Sequence, residues 1–455
     1  MPIKMKSHYE SWGRLSHHKH KNILVYPWSK SNFNQALNSN KEFTLNHSSY
    51  LPYGMGRSYG DSCLNKDGIL IDSSRLNHIH SFDKDIGVIR CEAGVCFDDL
   101  LSIIVPHGWF LPVTPGTRFV TVAGAVANDV HGKNHHRVGS FGNHVVAFEL
   151  KRSNNEALKC SKDENQNYFK ATIGGLGLTG FITWVEFKLK RIVNPYISTR
   201  EKAFTSIDEF FDLDEDNIES SEYSVAWVDT SSSGNKLGRG VYFMGEHAKE
   251  HPVAYTRKKK IQRQLDMPVN LPNMALNTFT VKAFNKLYFN IHKKAIEQKL
   301  SHYEPFFYPL DNILNWNRMY GKRGFFQHQC VVPIADGKDI IIEILKLVSD
   351  RGMASFLSVL KRFGNISSLG MLSFPREGYT LALDFPNKGK RTLDFLNELD
   401  QLVRSVGGAI YPAKDARMSG ETFRNSFPQL EQFKPYIDPA FSSSFWRRVN
   451  GLDKT

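Results

Sequence analysis

Apolar positions along this chain recur mostly with period two, in short runs broken by glycine, proline and polar residues. The clearest run is 181–189, where Phe181, Thr183, Val185, Phe187 and Leu189 alternate with Ile182, Trp184, Glu186 and Lys188, a strand. Further strands are predicted at 68–72, 88–92, 145–151, 223–229, 239–244, 324–333, 355–361 and 379–385. Helical spacing marks 97–105, where Leu100, Leu101 and Ile104 share a face, then 165–173, 339–350 and 392–406. Gly407 stands where a C′ glycine ends the last of these. The aromatic and basic stretch 441–448 predicts a closing helix, and residues 1–30, with His17, His18 and His20, read as a solvated tail.

The stretch 114–144, TPGTRFVTVAGAVANDVHGKNHHRVGSFGNH, has neither period. Gly116, Gly124, Ala125, Gly132, Gly139 and Gly142 are interspersed with hydrogen-bonding residues, above Val120, Val122 and Val126. Irregular segments of this length are uncommon inside compact domains unless functional. Glycine lets a backbone approach a ligand closely, so a backbone wrapped around a flat polar cofactor is expected. A second loop, PYGMGRSYGD at 52–61, holds Gly54, Gly56 and Gly60 and is suited to a pyrophosphate nest. The turn GGLGLTG at 174–180 matches G-x-G-x-x-G literally. That fingerprint needs a strand before and a helix after; here the order is reversed, so it reads as a turn near the cofactor.

From about residue 195 strands alternate with helices over long connections, which predicts an antiparallel sheet covered on one face, an α+β arrangement. Residues 255–290 carry RKKKIQR and then mixed Pro, Asn and Phe, and read as a mobile basic flap. The net charge of +12 favours phosphates or anionic surfaces. Nucleic acid is set aside, because the charge is diffuse and no recognition motif accompanies it. Five cysteines without a CxxC pair predict free thiols in a reducing compartment. With no signal-peptide pattern and no long apolar run, a cytoplasmic protein, at most at the inner face of a membrane, is expected.

YGMGRSYGD, the 114–144 stretch and GGLGLTG together resemble the flavin-dependent oxidoreductases of the vanillyl-alcohol-oxidase type. The likeness runs through YSVAWVD, YPLDNILNWNRMYG at 308–321, FFQHQ at 325–329, 356–363 and YPAKDAR at 411–417. The resemblance implies an α+β chain: a two-lobed FAD-binding domain over 1–194, a substrate domain over 195–407 and a segment, 408–455, returning to the FAD-binding domain. It places FAD on Tyr53, Gly54, Met55, Gly56, Arg57, Ser58, Tyr59, Gly60 and Asp61 in the first loop. In the central loop it adds Pro115, Gly116, Thr117, Thr121, Val122, Ala123, Gly124, Asn128, Asp129, Val130, His131 and Gly132. Asn134, Ser140, Gly142, Asn143, Ile182 and Tyr411 complete that set. Many relatives tether FAD through a histidine aligned with Arg57; arginine cannot form that link, so FAD is expected to be non-covalent.

The resemblance puts Lys133, Trp227, Tyr308, Arg318, Gln327, Gln329, Lys361 and Ala382 along the substrate pocket, Ala382 where the best-known members have a cysteine. Gln327 and Gln329 share one strand face by period two. Oxidising an alcohol sends a hydride to the flavin and a proton to a base. Candidate bases are His131, Lys414 and Tyr59, with Lys414 carrying the family's essential-lysine role and Asp415 beside it to hold the ammonium. His131 and His135 have i,i+4 spacing, but Gly132 and Asn134 disfavour a helix there, and no metal is expected. The implied substrate is the 2′-hydroxyl of a polyprenyl-phosphoryl pentose, oxidised as the first half of an epimerisation that an NAD(P)H-dependent ketoreductase completes. A soluble alditol or aldonolactone is the alternative, and quinone or oxygen accepts the electrons.

Overall fold

The computed structural model describes residues 9–15, 20–25, 49–250, 264–272, 274–294 and 296–452. Three sheets organise the chain. A parallel sheet sets Ile69–Asp72 between Asn22–Val25 and Tyr50–Tyr53. Ile69, Leu70 and Ile71 are buried, as expected of a central parallel strand covered on both faces. An antiparallel sheet runs in the order Ile79–Asp83, Val88–Glu92, Phe181–Lys188, Val145–Lys151, Ala157–Ser161. The helix Phe97–Ile104 turns Phe97, Leu100, Leu101 and Ile104 inward, and they join Ile69, Phe148 and Phe187 in one core.

The third sheet has eight antiparallel strands: Ile296–His302, Tyr196–Phe204, Gly240–His247, Tyr223–Val228, Ser358–Phe363, Gly378–Pro386, Phe325–Val332 and Ala409–Ile410. Its strands sort their side chains by period two. Ala226, Leu360, Leu381, Leu383, Cys330 and Val332 pack with the helices Ile207–Asn217, Ile334–Asp350 and Lys390–Ser405. The alternate residues face the other way, toward the glycine-rich loops. The last strand pairs Ile410 with Cys330, and the chain then returns to the first loop, where Arg448 binds Asp61 and Phe441 bridges Tyr50.

The α+β class and the helix-covered antiparallel sheet agree with the pattern analysis. Several elements do not. The stretch 114–144 contains the short helices Val122–Ala127 and His135–Val138, too brief to show a period. Strands Asn22–Val25 and Tyr50–Tyr53 form where a tail and a loop entrance were expected. Within the 255–290 flap, Thr278–His292 is a helix whose start is fixed by a capping box between Asn277 and Thr280; RKKKIQR lies outside the described residues. Strand Tyr196–Phe204 was missed because its sequence is polar; pairing on both sides makes it a strand. The closing helix is Ser444–Val449. His20 hydrogen-bonds the Asn65 carbonyl at 2.9 Å, while His17 and His18 lie outside the described residues.

Candidate functional site

A cavity of about 620 Å³ lies between the glycine-rich loops and the eight-stranded sheet. Volumes of a few hundred Å³ are typical of small-molecule sites. One wall is backbone. Tyr53 to Tyr59, Pro115 to Thr117, Asn128 and Val130 to Lys133 line it, together with Thr121, Ala123, Gly124 and Ile182. Thr121 caps the helix Val122–Ala127 by accepting the Gly124 N–H at 3.1 Å. A Cβ at Gly54 would sit 2.5 Å from Thr121 Oγ1, and one at Gly124 2.9 Å from the same atom. The first loop therefore closes on the second at Gly54 because that residue has no Cβ. Gly116 has no neighbour within 4 Å of its Cβ position, which leaves its backbone open to a ligand. Ser62 lines the cavity with its buried hydroxyl unpaired. A glycine-edged cleft with an orphaned hydroxyl fits a flat, hydrogen-bonding cofactor such as FAD.

The opposite wall is made of side chains. On adjacent strands Val225 and Trp227, Val359 and Lys361, Ala382, and Gln327 and Gln329 all point into the cavity. Register explains why: Ala382 stands between Gln329 and Val359, and Asp384 faces Gln327. Gln327 Nε2 donates to Asp384 Oδ1 at 2.5 Å, and Tyr320 donates to Asp384 Oδ2 at 3.4 Å. The returning tail closes the cavity. Tyr411 donates its N–H to the Gln329 carbonyl and its hydroxyl to the Asn128 carbonyl, both at 2.9 Å. Lys414 Nζ then sits 3.7 Å above the centroid of the Tyr59 ring.

Three lysines and a histidine meet here. Lys361 Nζ contacts His131 Nδ1 at 3.1 Å and donates to the Gly132 carbonyl at 3.4 Å. Burial, reinforced by the charges of Lys133 and Lys414, pulls the Lys361 ammonium down to about 7. Burial alone brings Lys133 to about 8. His131 falls well below its ordinary value, from burial first and then from Lys361, His135 and Lys414, so it is neutral. A charged Lys361 has only donors, so His131 Nδ1 accepts and Nε2 carries the proton. Gln329, 2.9 Å from Nε2, must then present its carbonyl oxygen there. Burial lowers Lys414, opposed by Asp384, whose own carboxyl burial raises. Tyr59 is pushed well above its ordinary value, first by burial, and stays a phenol.

Several residues named from sequence stand behind the cavity wall. Asp129 is fully buried and accepts from Ser140 Oγ, Gly142 N and Ser373 Oγ at 2.6–2.9 Å. Ser140 and Asn143 form a capping box beside it, so Asp129, Ser140, Gly142 and Asn143 hold the loop rather than line the cavity. Asn134 donates to the Pro112 carbonyl, and Val122 lies in the core. Gly60 packs on the Asp415 carbonyl, and Asp61 is taken by Arg448. Tyr308 backs the wall through Thr114, their oxygens 2.7 Å apart. Arg318 is turned to the Met267 and Pro268 carbonyls. Asp415 does not hold Lys414; it binds Arg448 and the Arg417 and Met418 N–H groups. Conversely Asp384, Tyr320, Ser62 and Trp12 escaped the sequence reading. Of these, Asp384 had a signal: it continues the period-two face of Ala382. Among the described residues no His, Cys, Asp or Glu group of three or more could hold a metal ion. Among them, too, no helix is long and apolar enough to cross a membrane.

Arg57, expected from the resemblance where relatives carry a tethering histidine, lines the cavity. Its Nε donates to the Phe119 carbonyl at 3.2 Å and its guanidinium lies 4.2 Å over the Trp12 ring.

Comparison with known proteins agrees with this geometry. Residues 23–161 match the FAD binding domain family. Decaprenylphosphoryl-β-D-ribose oxidase of Mycolicibacterium smegmatis is 37% identical over 414 residues, 88% of each chain. An uncharacterised protein of Streptomyces coelicolor is 32% identical over 77% of this chain and 98% of its own length. A D-lactate dehydrogenase of Anaerostipes hadrus is 26% identical over 32% of this chain and 33% of its own. FAD is thus the cofactor of this chain, which belongs to the FAD-dependent oxidoreductases of the vanillyl-alcohol-oxidase type that act on CH–OH groups, the family that includes decaprenylphosphoryl-β-D-ribose oxidase.

Proposed function

We propose that this enzyme oxidises the 2′-hydroxyl of a polyprenyl-phosphoryl pentose of the ribose type to the 2′-keto sugar. The observation that carries the reading is the convergence of Lys133, Lys361 and Lys414 on one buried cavity. Burying ammonium groups is unfavourable unless a counter-charge arrives, and a phosphodiester on the sugar supplies one. A neutral alditol or aldonolactone does not. Bound FAD supplies the hydride acceptor for the alcohol C–H. The protein must take the O–H proton, and Lys414 Nζ does so: its burial depresses its pKa towards the range of a useful base. Gln327 fixes both Tyr59 and Asp384 beside it. Neutral His131, oriented by Lys361 and Gln329, orders the sugar rather than the proton.

The keto product calls for a separate NAD(P)H-dependent ketoreductase to complete an epimerisation, and quinone or oxygen restores the oxidised enzyme. The test is anaerobic mixing of the FAD-loaded protein with a short-chain prenyl-phosphoryl ribose, with xylitol and with an aldonolactone. Rapid bleaching is expected only with the first. Equal or faster bleaching by either neutral compound would overturn the assignment.

A further inference from the structure

Thirteen large apolar side chains are exposed among the described residues, and eight of them fall between residues 265 and 300. Single exposed apolar residues are ordinary; a contiguous group marks a contact surface. The group centres on the helix Thr278–His292. Its inner face is fixed: Val281 and Asn285 are buried, and Tyr288 lies 4.6 Å from the Trp227 ring. Its outer face carries Phe284, Leu287 and Ile291 at helical spacing, 44%, 60% and 65% exposed, with Phe279 at 80%. Lys282 and Lys286 run along the flank, and Lys293 and Lys294 follow the helix end, all exposed. From 264 to 302 five lysines stand against Asp266 and Glu297, a net +3.

We propose that this helix docks flat on an anionic bilayer, with the apolar stripe in the acyl boundary and the lysines on headgroup phosphates. An apolar stripe edged with lysines is the pattern of an interfacial helix, and the charge selects an anionic surface. Position supports the same occupant. Phe284 and Tyr288 also line the cavity, so the docked face adjoins the cavity wall. A substrate carried on a polyprenyl phosphate then reaches the site from the interface without crossing water. The purpose of the surface rests on the lipid-linked reading; the docking itself is tested apart from it.

The FAD-loaded protein is sedimented with vesicles of phosphatidylcholine alone and of phosphatidylcholine mixed with phosphatidylglycerol. Preferential binding to the mixed vesicles, weakening with salt, is expected. Phe279→Ser/Leu287→Ser/Ile291→Ser and Lys282→Gln/Lys286→Gln should each bind at least about tenfold more weakly. Both should keep the parent's flavin spectrum and its reduction by a short-chain soluble substrate, since none of these residues lines the cavity. A parent that ignores mixed vesicles, or variants that bind them as the parent does, would overturn the proposal. So would a parent dimer that the triple variant abolishes, because a second copy would then cover the stripe. Vesicle binding without oxidation of any prenyl-phosphoryl sugar would sink the substrate reading and leave the docking surface standing.

Discussion

The two walls of the cavity are built on opposite principles. The loop wall presents backbone: at Gly54 and Gly56 a Cβ would strike a neighbour, and at Gly116 the backbone lies open to a ligand. The sheet wall presents side-chain heads on a rigid pleat, and its residues are selected by what they carry. A backbone wall is sensitive to any added atom and indifferent to charge. A side-chain wall accepts exchange at one position while its neighbours stay in place. Substitutions on the first should therefore abolish cofactor binding, and substitutions on the second should change chemistry with the cofactor retained.

The largest effect is expected from Gly124→Val. Its Cβ position lies 2.9 Å from Thr121 Oγ1, and the branched chain must also enter the cavity. The purified variant should be colourless; a fully yellow, active protein would erase the distinction between the walls. Lys414→Met is the counterpart at the far wall. It should keep FAD and thermal stability, yet reduce its flavin about a hundredfold more slowly in anaerobic single turnover, the scale of a lost charge-stabilising or proton-accepting group in a dry site. Reduction at the parent rate would remove Lys414 from the chemistry and leave His131 as the leading candidate for the base. Asp384→Asn should slow reduction less, by about tenfold, and its pH profile is the more telling readout. Asp384 holds Lys414 up, against burial. Without that charge Lys414 loses its proton at lower pH, so the acid limb of the rate profile should move to lower pH; an unmoved limb would detach Asp384 from the lysine.

The same contrast explains what was legible in sequence. The loop wall announces itself, because glycines clustered as at Gly54, Gly56, Gly116 and Gly124 mark a backbone that turns tightly or meets a ligand closely. Yet the loops named too many residues. Asp129, Ser140 and Asn143 hydrogen-bond one another behind the wall, and a motif cannot tell a residue that touches the ligand from one that braces the turn. On the sheet wall, period two brought Gln327 and Gln329 to one face, and the structure places them so. Asp384 was passed over because its importance comes from a neighbouring strand, through a register that sequence does not print. Likewise Tyr196–Phe204 is a strand by virtue of its partners and not of its own pattern. Lys414 and Asp415 show the limit of adjacency: consecutive residues point to different partners, one to Tyr59 and the other to Arg448.

The smallest effect expected is one of stability, and its sign is opposite to that of an ordinary core mutation. Lys361 is buried, with its ammonium pulled down to about 7 from an unfolded value near 10.5. Below pH 7 both states carry the proton, and the folded state bears the whole burden of the buried charge. Between about pH 7 and 10.5 the folded state has released its proton and the unfolded state still holds it, so stability rises with pH. Above that range the burden is gone. Lys361→Met fills the same space without charge and should stabilise the flavin-free protein most at pH 6. The gain is reduced because the contacts to His131 Nδ1 and the Gly132 carbonyl go with the ammonium. We expect about 1–2 kcal/mol at pH 6, shrinking to nothing or reversing by pH 10. Urea unfolding of parent and variant across that range measures it. A variant less stable at pH 6, or an advantage that grows with pH, would show that the sheet wall carries no electrostatic strain. Its lysines would then be packing residues rather than a site held ready for an anion.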